Sequence, residues 1–139
     1  DLRQQGVPID GIGFQMHIFN LAPDLPSIAA NFARFSQLGM QIHITEMDVA
    51  LPVDASGALI DPADLARQAG VFREITRVCL QTPGCTALQT WGMTDKYSWL
   101  GWATHKTKGA GLLLDRQYQP KPAYDAVRQA LIQSPRKRN

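Results

Sequence analysis

Three short segments of this 139-residue chain carry side chains able to do chemistry: Gln15 and His17 in GFQMHI, Glu46 and Asp48 in ITEMDV, and Trp91 with Asp95 in TWGMTD. A carboxylate two residues from a second one, with an imidazole at hand, can bind a metal, act as a general base, or attack as a nucleophile. Metal binding is the weakest of the three: there is no HExxH, and His17, His43 and His105 lack the local spacing of a zinc site. Serine chemistry lacks its GxSxG elbow. Gly11 and Gly13 open what resembles a dinucleotide fingerprint, but Met16 stands where GxGxxG needs its third glycine. Neither a metal nor a cofactor is implied.

Aromatic residues add a direction. Trp91, Tyr97, Trp99 and Trp102 fall within one short stretch, and flat rings stack on the apolar faces of pyranose sugars much as they stack on each other. The plainer reading of any one ring is that it plugs a gap in the fold. Likewise Asp48 could cap a loop and His17 could be a core histidine with its hydrogen bonds satisfied.

These residues need elements to bring them together. Residues 9–18, IDGIGFQMHI, read as a strand; after LAPDLP, the residues Ile28, Phe32, Phe35 and Leu38 recur at helical spacing until Gly39. MQIHITEMDV reads as a second strand, and residues 62–80 as a helix with Leu65, Ala69, Phe72, Ile75 and Cys79 on one face. TALQTWG reads as a third strand, a long loop runs to about residue 119, and PKPAYDAVRQALI reads as a last helix with Pro122 in its first turn. The grammar is that of parallel βα units, so the fold class is α/β. A barrel of eight such units takes roughly 250 residues, so three units look like the last three-eighths of a (β/α)8 barrel. DLRQQG at the start resembles the closing turn of an earlier helix. The expectation is a C-terminal fragment, or a chain whose sheet edges a partner covers.

In such a barrel the site gathers at the C-terminal ends of the strands, where Gln15, His17, Glu46, Asp48, Trp91 and Asp95 all fall. One difficulty is local. Strict alternation puts Glu46 on the face of Ile42 and Ile44, whereas Gln15 and His17 share theirs with Gly11 and Gly13. An irregularity near Thr45 is therefore predicted, to re-aim Glu46.

Composition sets the outer limits. At 45% hydrophobic and 19% charged residues the chain has the balance of a folded protein. No run approaches the roughly 18 apolar residues of a membrane span, and DLRQQGVPID has no secretory-signal pattern. The net charge of +2 comes from Arg136, Lys137 and Arg138; without them the surplus becomes a slight deficit, which argues against a nucleic-acid partner. Residues 134–139 read as a disordered basic tail and 1–133 as one structural unit. Cys79 and Cys85, with Pro83 and Gly84 between them, could close a small loop in an oxidising compartment or remain reduced as small hydrophobes.

Four segments carry a resemblance over nearly the whole chain. GIGFQMH (11–17), ITEMDV (44–49), WGMTDKYSWL (91–100) and QPKPAYDAV (119–127) resemble, in order and spacing, the C-terminal part of glycoside hydrolase family 10 xylanases. ITEMDV is close to that family's nucleophile signature, with Met47 where leucine is usual, a change that conserves volume. The resemblance implies a secreted endo-1,4-β-xylanase that cleaves xylan with retention of configuration. Glu46 would be its nucleophile, His17 and Asp48 would hold Glu46 oriented and ionised, and Gln15, Trp91 and Trp99 would contact the sugar. It also implies a Cys79–Cys85 disulfide. The acid/base glutamate is expected upstream, in the N-terminal part of the barrel; no replacement among Asp24, Asp54, Asp61 or Glu74 has motif support. A related β-glucanase and a non-catalytic carbohydrate-binding fragment are the competing readings.

Overall fold

The computed structural model describes residues 2–134. The basic tail expected at 134–139 lies, beyond Ser134, outside the described residues. Ten helices and strands follow in chain order: β1 (Gly11–Phe14), β2 (His17–Ile18), α1 (Leu25–Gln37), β3 (Gln41–Val49), β4 (Leu51–Pro52), α2 (Asp64–Gln81), β5 (Cys85–Thr90), α3 (Leu100–Ala103), β6 (Lys108–Gly109) and α4 (Pro122–Gln133). A 3-10 turn at Asp95–Tyr97 precedes α3.

The main sheet is parallel, with β1 and β2 on one side of β3 and β5 on the other. Sequential parallel order with no reversal fits a stretch of barrel wall. One face is closed by helices: Ile42, Ile44, Met47 and Val49 form a core with Phe32 of α1, Phe72 and Ile75 of α2, and Ala123 and Val127 of α4. Ile12, Phe14 and Met16 pack against that core, while Gly11, Gly13 and Gln15 stay exposed on the opposite face.

Local chemistry sets the helix ends. Asp24 accepts a hydrogen bond from Ser27 N (3.0 Å) at the start of α1, and Gly39, at φ 72°, lets the chain leave it. Leu38, expected on the apolar stripe, is 51% exposed because it is the C-cap and has left helical phase. Cys79 at the end of α2 and Cys85 at the start of β5 form a disulfide.

The expected first strand is two. Between Phe14 and His17 the chain turns through Met16 in a left-handed conformation (φ 61°). The small β4–β6 ladder and α3 lie in segments read from sequence as loop. Their strands are two residues long, too short for any periodic signal.

Candidate active site

The irregularity near Thr45 is present. Phe14 pairs with Ile44 and His17 with Asp48, so β3 spends one residue more than its neighbour between these pairs. The same holds against β5, where Leu88 faces Ile44 and Thr90 faces Met47. The extra residue resets the alternation: Ile42 and Ile44 are buried on the helix side, Thr45 and Glu46 are both partly exposed, and Met47 is buried again. Glu46 is thereby taken off the helix-covered face.

His17 joins the two carboxylates. Its Nε2 lies 3.3 Å from Glu46 Oε2 and its Nδ1 lies 3.1 Å from Asp48 Oδ2. Trp99 donates its indole N–H to the same Asp48 oxygen at 2.7 Å, and its ring lies against His17 with centroids 4.8 Å apart. Trp91 meets the imidazole edge-on at 6.4 Å, and Phe19 meets Trp99 edge-on at 6.3 Å. Glu46 keeps 21% of its side chain open, whereas Asp48 keeps none. The cluster therefore has one solvent-accessible end.

Ionised carboxylates only accept, so each His17 ring nitrogen that carries a proton can donate to the carboxylate oxygen it faces. Burial pushes the Asp48 carboxyl above the usual carboxylate range, opposed by the Trp99 N–H and by His17. Asp48 Oδ1 is buried with no hydrogen-bond partner among the described residues.

Not every expected residue joins. Gln15 is exposed on the face of Gly11 and Gly13, with no hydrogen bond to the cluster among the described residues. Asp95, expected to converge on the same face, instead turns its carboxylate to Lys121 Nζ (2.8 Å) and the Leu112 N–H (2.8 Å). Tyr97 and Trp102 are 73% and 84% exposed and make no ring contact with His17. Trp99, expected against sugar, is tied through its N–H to Asp48. Sequence reasoning missed Gln68 and Lys121, described below. Gln68 had a signal, being the polar position on the apolar stripe between Leu65 and Phe72.

A helix-covered parallel βα array with a carboxylate cluster at the strand C-termini is the arrangement of a (β/α)8 barrel segment. The sequence profile of glycosyl hydrolase family 10 matches residues 1–130. The chain belongs to that family. It is 46% identical over 131 residues to endo-1,4-beta-xylanase B of Thermotoga neapolitana, covering 94% of this chain and 36% of that protein. Among solved structures it resembles xylanase 10B from Thermotoga maritima (TM-score 0.85, 45% identity, 94% of this chain and 39% of that one). It also resembles xylanase 10B from Thermotoga petrophila, solved with xylobiose (TM-score 0.85, 44% identity, 94% and 38%). The chain thus spans well under half the length of these relatives. Among the described residues, no helix is long and apolar enough to cross a membrane.

Proposed function

We propose that this chain supplies the nucleophile side of a retaining endo-1,4-β-xylanase, secreted and acting on internal bonds of xylan. The observation that carries the reading is the Glu46–His17–Asp48–Trp99 chain of contacts, which leaves one carboxylate partly open with an imidazole nitrogen 3.3 Å from it. Glu46 attacks the anomeric carbon and forms a covalent glycosyl-enzyme, which water then hydrolyses. His17 fixes its orientation. Asp48 cannot serve as the proton donor to the leaving group, because it is fully buried and held by Trp99 and His17. Retention needs a second carboxyl about 5–5.5 Å from the first, and that group belongs to the remaining units of the barrel. Trp91, half exposed beside the imidazole, offers a platform for a sugar ring, and Gln15 on the open face offers an amide to its hydroxyls. The xylobiose held by the Thermotoga petrophila relative supports a xylo-oligosaccharide as the ligand.

A 2-fluoro xylobioside with a dinitrophenyl leaving group tests this, since it needs a nucleophile and little acid assistance. Intact mass of the complete protein should show a one-to-one adduct that maps to Glu46. An adduct on another residue, or hydrolysis that survives Glu46→Gln, would overturn the assignment.

A further inference from the structure

Behind Asp48, three buried polar side chains converge on the segment 110–112. Gln68 of α2 donates its Nε2 to Val49 O (2.7 Å) and Ala110 O (2.6 Å). Lys121, just before α4 and 7% exposed, donates its Nζ to Ala110 O (2.6 Å) and to Asp95 Oδ2 (2.8 Å). Asp95 Oδ1 accepts the Leu112 N–H. Ala110 sits at φ 48°, a conformation an alanine keeps only when its surroundings impose it. Two buried donors on its carbonyl do so.

The segment they hold touches three parts of the site. Gly111 O accepts Val49 N (3.0 Å). A Cβ at Gly111 would lie 2.3 Å from Leu100 Cδ1 and 3.5 Å from Asp48 Cβ, so only glycine allows this approach. Leu100 directly follows Trp99. Leu112 lies against Gly92, the residue after Trp91, where a Cβ would be 3.1 Å from Leu112 Cδ1. Segment 110–112 is thus wedged between Asp48, the helix that Trp99 caps, and the backbone beside Trp91.

We propose that Gln68, Lys121 and Asp95 are positioning residues for the nucleophile: by fixing the Ala110 carbonyl and the Leu112 N–H they seat Gly111 and Leu100, and so hold Trp99 on Asp48 and His17 on Glu46. None of the three bonds His17 or Glu46 directly. Stability alone is a poor reason for such a bracket, because well-packed apolar residues replace buried ion pairs with little loss. This inference rests on Glu46 being the nucleophile.

The test uses the complete protein carrying Gln68→Met and, separately, Lys121→Met. Gln68→Met keeps the side-chain length and removes Oε1, which is buried without a partner, so it is the variant expected to fold and it decides the matter if Lys121→Met does not. Three quantities are read: kcat and KM on an aryl xylobioside, the pH profile of kcat/KM, and the Trp99 indole N–H resonance. The expected result is a fall in kcat of about 10- to 100-fold with KM changed less than about threefold. The acid limb should move to higher pH, as in Trp99→Phe, because a loosened indole stabilises the Asp48 charge less. The indole resonance should move toward that of an exposed tryptophan, and Trp99→Phe added on top should cost little more. A lower Tm with kcat, acid limb and resonance all unchanged would overturn the proposal, as would losses that simply add. The resonance needs no turnover, so it separates the two ideas: hydrolysis that survives Glu46→Gln ends the nucleophile reading, whereas an unmoved resonance ends the bracket.

Discussion

A carboxylate cluster around His17 and a buried Lys121–Asp95 ion pair lie back to back in this chain. In the His17 cluster one member, Glu46, keeps a fifth of its side chain open. In the Lys121 cluster both members are nearly sealed, at 7% and 6%. Desolvation pushes the Asp48 and Asp95 carboxyls up alike, and it pushes the Lys121 ammonium down. What differs is access, and access decides the use: an open end can meet a substrate, whereas a closed cluster can only hold neighbouring backbone in place. Asp95 shows that a carboxylate at a barrel strand's C-terminal side is not thereby a reacting group.

The contrast is broken most severely at the open end. Glu46→Gln should lower xylan hydrolysis by about 10³-fold or more while sparing binding, measured as kcat alongside retention on a xylan affinity gel. Retained turnover would remove the distinction between the clusters.

At the closed end the larger effect should be on stability. Lys121→Met leaves Asp95 buried without its cation and should cost about 3–5 kcal/mol at neutral pH by denaturant unfolding. The sign of the pH dependence follows from Asp95. Its folded carboxyl is already raised above the unfolded value of 3.8, so its stability contribution is full below that value and is lost as pH rises through the folded one. Without Lys121 the carboxyl rises further. The deficit of the variant should therefore shrink as pH falls through the acid range; a deficit constant from acid to neutral pH would mean that Asp95 carries no charge there.

Gly111 lies between the clusters, against Asp48 on one side and within the bracketed segment on the other. Gly111→Ala should cost up to about 3 kcal/mol through its clash with Leu100 and should lower kcat as well, since Trp99 shifts with Leu100. Loss of stability with kcat intact would show that the two clusters are not mechanically linked.

The smallest effect is a control at the opposite end of the sheet. The Cys79–Cys85 bond closes a short loop at the start of β5, so replacing both cysteines with serine should cost about 2 kcal/mol by the loop-entropy estimate. Activity per folded molecule should be unchanged, read by normalising kcat to active-site titration.

The sequence by itself determined the order of the βα units, because periods of 3.6 and 2 are written in single residues such as Phe32, Phe72, Ile42 and Ile44. It also exposed the conflict at Glu46, because an alternation that aims a carboxylate into a core is wrong on its face, and the bulge near Thr45 resolves it. The identity of Glu46, His17 and Asp48 as candidates was legible from residue type and position at strand ends. Tertiary structure alone decided that Trp99 bonds Asp48, that Asp95 faces Lys121, and that Gln68 and Lys121 meet on one carbonyl. Those pairs lie 51, 26, 42 and 11 residues apart in the chain. No local period encodes such contacts, since they exist only once α2, α3 and α4 have packed around the end of β3.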